Sequence, residues 1–330
     1  MKVLAGDIGG TKTWLRVTEF GAAGPRVLAE QRYTSAAYAH LSPMLSEFLA
    51  GMAAPRIDKA CFGVAGPVSG DSARQTVCVT HLPWQVDSCA LAEEFAIPRV
   101  RLMNDFQATG YGIEALESSE LEVLHAGRPE LRAPRLVIGA GTGFGMAQLI
   151  WQQDHYEVLP SESGHVDFAP RDELQIDLLQ YLMQRDGRAF YDQIVSGPGL
   201  VNVYDFLGAR QPAEASPVLR QAMQEGDAAA AITEFALRAQ DRLAGEALDL
   251  FVMLYGAWAG SLALITQPRG GIYVAGGIAP RLIERLRAGG FMRAFLDKGV
   301  MTPVVEAMPV QVVLNTKVGL AGAALAGSRL

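Results

Sequence analysis

Twice in this 330-residue chain an apolar strand enters a glycine turn that carries a threonine and leaves it as another strand. Residues 3–5 lead into GDIGGTKT and then WLRVTEF; residues 135–138 lead into GAGTGFG and then GMAQLIWQ. The returning segments alternate with the period of two that marks a strand. That pattern argues against two familiar glycine motifs. A P-loop needs glycine where Thr11 stands, and the dinucleotide fingerprint needs its last glycine where Phe144 stands; both also open helices. The fit is to a β-hairpin whose tip offers backbone N–H groups and a threonine hydroxyl to phosphate oxygens, with glycine allowing close approach. Asp7 would then orient a hydrated Mg²⁺ ion, a hard cation that takes oxygen ligands and keeps several waters. The plainer alternative is a pair of ordinary glycine hairpins. Recurrence of the unit points to two related lobes, and 330 residues exceed one comfortable core.

Other elements follow from periodicity. RVLAEQRYT reads as a third strand, and residues 40–52 as a helix with Leu41, Leu45, Phe48 and Leu49 on one face. KACFGVAGP is a strand ending in glycine, followed by a helix around Ser88–Phe95 and the strand VRLMN. After the second turn, helices are expected at about 173–185, 199–207, 215–223, 227–246 and 247–266. The strand GGIYVAGG, a helix from Pro280, the strand VQVVLN and an Ala/Gly-rich helix complete the chain, and Pro212 and Pro217 bracket a surface loop. The longest apolar stretch, Leu250 to Ile265, contains Gly256 and Gly260 and reads as a buried helix too short for a membrane span. MKVLAGDIGG is a strand interrupted by Asp7, unlike a signal-peptide core. A net charge of −7 argues against a nucleic-acid partner. Cys61, Cys78 and Cys89 contain no CxxC, which suits a reducing cytoplasm and offers neither a disulfide framework nor a zinc site.

Several segments carry chemistry. In VRLMNDFQA an apolar run meets Asn104 and Asp105, and an ionised Asp is costly to bury without a partner. Asp105 either caps the helical segment that follows or is placed to take a proton. Glu162 and His165 in SESGHVDFAP belong to a binding turn or to loop structure, whereas Asp167 reads as loop structure. VAGGIAPRLIERL brings Gly277 and a proline-led helix start, which can meet phosphate, and in SGPGLVNVYDF Ser196 precedes a bend into a helix. His40, His81, His125 and His155 show no metal-ligand spacing, and no GxSxG elbow is present.

Taken in order, GDIGGT, AGP, NDF, GAGTGFG, SESGHVDFAP, VSGPGLVN, VAGGIAPR and FMRAFLDKG resemble the bacterial glucokinase family of the actin/hexokinase/Hsp70 superfamily along nearly the whole chain. The resemblance implies an α/β, two-lobed actin-like and ribonuclease H-like fold, with a mixed sheet in each lobe and a cleft between them. It implies a small lobe over residues 1–112, a large lobe over 113–305 and a return of 306–330 to the small lobe. It further implies transfer of the ATP γ-phosphoryl group to a hexose 6-hydroxyl, most simply that of glucose. Asp105 is then the general base, and Asn104, Asp105, Glu162, His165 and Asp192 bind the sugar. Gly6, Asp7, Ile8, Gly9, Gly10, Thr11, Gly141, Thr142, Gly143 and Gly277 surround the nucleotide, with Mg²⁺ on Asp7 through water. A cytoplasmic homodimer is expected, with no nucleic-acid or membrane partner. The chain departs from the family pattern at Lys12 and Trp14 (Asn and Arg in the family), His81 (Asn), Asp192 (Glu) and SESGH (GEGGH). These changes read as gathering on the sugar side, so a kinase of another hexose or amino sugar, or a sugar-binding paralogue, remains the alternative.

Overall fold

The apolar run at the start of the chain forms β1 (Lys2–Ile8), with Val3, Leu4, Ala5 and Ile8 fully buried. In the computed structural model, which describes residues 1–53, 55–211 and 216–330, β1 is the middle strand of a five-stranded sheet. The sheet runs β3 (Gly24–Thr34), β2 (Lys12–Gly21), β1, β4 (Lys59–Val64), β8 (Val100–Asn104). β1 pairs antiparallel with β2 and parallel with β4, and β4 pairs parallel with β8. Between β4 and β8 the chain forms a small antiparallel sheet of β5 (Val68–Gly70), β6 (Gln75–Cys78) and β7 (Gln85–Asp87). These strands have only three or four residues, too few for alternation to register. One face of the five-stranded sheet packs with α1 (Leu41–Ala50) in a core that includes Leu4, Leu15, Met44, Leu45, Phe48, Phe62 and Trp84. Burying each such side chain contributes about 1.5–3 kcal/mol. The helix α2 (Ser88–Glu94) is capped by Asp87, whose carboxylate accepts from the Cys89 and Ala90 N–H groups.

The helix α3 (Asp105–Gly112) follows β8 directly. Its sequence, DFQATGYG, has two glycines and little amphipathic pattern, so packing must hold it. The contact is with the Ala/Gly-rich α12 (Val318–Ser328). A Cβ on Gly322 would overlap the Ala108 carbonyl, and one on Gly112 would overlap the Val318 carbonyl. Glycine at both places lets two helix backbones touch.

The second sheet runs β12 (His155–Ser161), β11 (Phe144–Gln152), β10 (Arg135–Ala140), β13 (Ile272–Ala275), β14 (Val310–Val313), β9 (Leu121–His125). β10, β13 and β14 are mutually parallel in that order, and β9 adds an antiparallel edge. Three strands consecutive in sequence followed by two parallel strands is the order of the first sheet as well. The sequence repeat is thus a repeat of sheets, and both have the mixed order of the actin-like fold. Helices α4 (Glu173–Asp186), α5 (Gly197–Arg210), α6 (Pro217–Glu225), α7 (Ala228–Leu237) and α8 (Arg242–Thr266) lie between β12 and β13. The short α9 (Ile283–Arg287), α10 (Gly290–Leu296) and α11 (Thr302–Glu306) lie between β13 and β14.

Two helix boundaries differ from expectation. The helix expected over 227–246 stops at Leu237, because Ala239 adopts a left-handed φ of 53° and Asp241 caps α8 by accepting from the Ala244 N–H at 2.7 Å. The helix from Pro280 begins as a 3₁₀ turn, Ala279–Leu282. Pro212 and the start of the helix expected at 215 lie outside the described residues. With its earlier start α8 reaches 25 residues and is long and apolar enough to cross a membrane by length and composition, yet most of it is buried in the core.

The chain divides into two compact units. The first comprises Met1–Glu120, Leu149–Pro160 and Asn315–Leu330; the second comprises Leu121–Gln148 and Ser161–Leu314.

Candidate active site

In the first unit, β1, β4 and β8 end level. Ile8 pairs with Val64, and Val64 with Asn104. The β1–β2 turn, Gly9-Gly10-Thr11, and the pair Asn104-Asp105 therefore leave the sheet at the carboxyl edge of its parallel strands, where open α/β sheets take their ligands. Gly63 lets α3 come close to this edge: a Cβ there would stand 2.7 Å from that of Ala108 and 3.7 Å from the Asp105 Cα.

The turn is a hairpin in which Ile8 pairs with Thr13, and the Gly9 N–H donates to the Lys12 carbonyl at 3.0 Å. Ser35 braces it from beneath. Its Oγ donates to the Gly9 carbonyl at 2.7 Å and lies 3.0 Å from Thr13 Oγ1, and its N–H donates to the Thr11 carbonyl. Sequence reasoning missed Ser35, which sits 24 residues after Thr11 in a stretch without periodicity. His81 also stands at this turn: a Cβ on Gly10 would lie 3.2 Å from the His81 Cβ and 2.8 Å from the Thr80 carbonyl oxygen. Thr11 is exposed, Gly6 is buried against Phe62, and Asp7 is half-buried. Burial pushes the Asp7 carboxyl above its ordinary pKa, and the Lys12 charge pulls it back part of the way.

Asn104, and not Asp105, caps α3. Its Oδ1 accepts from the N–H groups of Phe106 at 2.9 Å and Gln107 at 3.4 Å. That leaves the Asn104 amide as a donor. Asp105 is the first helical residue, half-buried, with the Phe106 N–H also 2.9 Å from its Oδ1 and Thr109 Oγ1 donating to its carbonyl at 3.0 Å.

In the second unit, the turn Gly141-Thr142-Gly143 joins β10 to β11, and Thr142 and Gly143 are exposed. Two other segments converge on it, residues 192–197 and the end of β13. The Gly197 N–H at the start of α5 donates to the Gly141 carbonyl at 2.8 Å. The Phe144 N–H donates to Asp192 Oδ1 at 2.5 Å. At the end of β13, the left-handed Gly276 (φ 85°) lies where a Cβ would meet the Ala140 carbonyl at 2.6 Å, and the adjoining Gly277 is exposed with open space about it.

Glu162 precedes the 3₁₀ turn Ser163–His165 and His165 ends it, and both are exposed. A Cβ on the buried Gly164 would stand 2.8 Å from the Phe144 carbonyl oxygen and 3.5 Å from the Asp192 Cβ, so this turn packs on the glycine turn. Arg188 holds it from outside, donating to the His165 carbonyl at 2.8 Å and to Asp167 Oδ1 at 2.9 Å. Within the first unit the structure thus brings together Gly6–Thr11, Asn104 and Asp105. Within the second it brings together Gly141–Gly143, Gly277, Glu162, His165 and Asp192.

The family model described as Glucokinase matches residues 4–329. The chain is 43% identical over 342 residues to a glucokinase of Nostoc punctiforme, covering 99% of each. It is likewise 43% identical over 350 residues to a glucokinase of Synechocystis, covering 99% of this chain and 98% of the relative. Among solved structures, a glucokinase from an Antarctic psychrotroph superposes with a TM-score of 0.85 at 29% identity, covering 100% of this chain and 99% of that one.

Proposed function

The chain belongs to the glucokinase family, and on that premise we propose that it transfers the γ-phosphoryl group of ATP to the 6-hydroxyl of D-glucose, with Asp105 as general base. The observation that supports this most is the level ending of β1, β4 and β8, which puts a glycine–threonine turn and a half-buried carboxylate at one sheet edge. A sugar alcohol is a poor nucleophile near neutral pH, so the Asp105 carboxylate accepts the hydroxyl proton as the phosphoryl group moves. Asn104, its Oδ1 held by the α3 cap, donates its amide to a sugar hydroxyl. Glu162 and His165 supply further hydroxyl partners from an exposed turn.

The Gly9 and Gly141 N–H groups are taken by the Lys12 and Gly143 carbonyls, so the backbone N–H groups offered to phosphate oxygens are those further round each turn, at Gly10–Thr11 and Thr142–Gly143, and Gly277 leaves room beside the second. Mg²⁺ fits Asp7: a half-buried carboxylate with a raised pKa gains from a cation. Mg²⁺ usually keeps several waters and is bound through one or two carboxylates plus substrate phosphates, so Asp7 alone would serve as its protein ligand. When bound, the ion would offset charge on the phosphate oxygens. A cytoplasmic homodimer belongs to the same proposal and rests on the family resemblance; light scattering checks the dimer.

Asp105→Asn is expected to lower kcat about a thousandfold while changing the KM for glucose little. Retention of turnover within a few-fold would refute the base. A panel of hexoses and amino sugars with ATP and Mg²⁺ tests the substrate, glucose being expected to give the highest kcat/KM.

A further inference from the structure

Asp192 stands where the family pattern has a longer glutamate, and its contacts lie on the phosphate turn. Its Oδ1 accepts the Phe144 N–H at 2.5 Å, and Phe144 is the buried residue that closes Gly141-Thr142-Gly143. The same oxygen lies 2.9 Å from where a Cβ on Gly143 would be, so glycine at 143 is what lets the carboxylate reach the turn.

Asp192 is itself held. Ser196, fully buried at the N-cap of α5, donates its Oγ to the Asp192 carbonyl at 2.5 Å and accepts the Gly199 N–H at 3.0 Å. One residue on, the Gly197 N–H donates to the Gly141 carbonyl. The turn is therefore gripped at both ends by one segment, at Gly141 through Gly197 and at Phe144 through Asp192. On its own backbone Asp192 has the reach for the Phe144 N–H; a glutamate carboxylate would lie one methylene further out.

We propose that Asp192 is a positioning residue for the nucleotide: by holding the Phe144 N–H it sets the shape of the Gly141–Gly143 turn, and it acts on ATP rather than on the sugar. This rests on the reading of that turn as a phosphate site. A charge-assisted bond to a backbone N–H defines geometry tightly, and without it a buried donor has no acceptor and the turn relaxes.

The test compares Asp192→Ala, Asp192→Asn and Gly143→Ala in the full-length enzyme. The readouts are the KM for ATP, the KM for glucose, and calorimetric binding of ADP without sugar. Asp192→Ala is expected to raise the KM for ATP and the Kd for ADP at least tenfold, with the KM for glucose within twofold. Asp192→Asn keeps a carbonyl oxygen for the Phe144 N–H and should restore both nucleotide constants to within threefold of the parent. Gly143→Ala, which crowds the carboxylate, should weaken ADP binding with no further loss when combined with Asp192→Ala. A tenfold rise in the KM for glucose alone overturns the proposal, as does ADP binding unchanged in Asp192→Ala. Should Asp192→Ala not fold, the other two variants decide: an Asn protein that loses ADP binding, or a Gly143→Ala protein that keeps it, overturns the proposal. If the parent binds ADP but phosphorylates no glucose, the substrate reading fails while the Asp192 comparison still stands on binding. A parent that binds no ADP overturns both.

Discussion

His81 shows how a single backbone angle can account for a departure from a family pattern. Its φ is 64°, in the left-handed region that Asn, Asp and His enter more readily than other side chains. The family pattern has Asn there, so both residues answer one conformational demand, at a place that packs on Gly10. His81→Asn is expected to leave stability within about 0.5 kcal/mol of the parent. His81→Val should lose about 1–3 kcal/mol, since a β-branched residue is strained at this φ. Urea denaturation of the two variants checks both. Of the candidate residues, the Asn104-Asp105 pair was legible as a polar interruption of an apolar strand. Which of the two would cap was not, because Asn and Asp have nearly equal cap preference and the choice depends on where the strand ends. The Asp192 contact was illegible for another reason: its partner is a main-chain N–H 48 positions away, and a backbone donor carries no residue signature.

At the scale of elements, two glycines that look alike in sequence should behave oppositely. Gly322 on α12 touches the α3 backbone, and Gly322→Ala is expected to destabilise by about 1–3 kcal/mol or more through overpacking. On α8, a Cβ added to Gly245 would meet nothing within 4 Å. Gly245→Ala should therefore stabilise by about 0.5–1 kcal/mol through helix propensity. Thermal melts of the two variants, moving in opposite directions, check the pair. Strands with strong alternation or glycine ends, such as β1, β2, β10 and β13, could be read from the chain. Those of the small sheet, at three or four residues, could not, and the half-exposed β9 edge lacks alternate burial; β12 does alternate, with Tyr156 and Val158 buried and Glu157 exposed, but over too short a span to stand out. The break between α7 and α8 was hidden because residues on both sides favour helix, and the Asp241 cap outweighs them.

Across the whole chain, residues 315–330 are tied into the first unit at many points. Lys317 bonds Glu30, which also takes Arg16 at 2.6 Å; Asn315 donates to Glu120, Lys59 to the Ser328 carbonyl, and Arg329 to Glu114. Burial alone would raise the Glu30 carboxyl, but Lys317 and Arg16 outweigh it and hold its pKa below the ordinary value. A carboxyl depressed on folding adds stability above its unfolded pKa and loses it as pH falls through the folded one. Lys317→Ala is therefore expected to melt below the parent at about pH 7, with the gap closing near about pH 3. Removing residues 315–330 strips α12 from α3, β1 and β4, and should abolish the near-ultraviolet circular dichroism contributed by Trp84 and Tyr111. The same division of the chain bears on its synthesis. The second unit is complete once residue 314 has been made, whereas the first, which includes residue 1, lacks α12 until residues 315–330 emerge. On the ribosome the later unit can therefore close first. The earlier one waits with its glycine-faced α3 uncovered until α12 arrives.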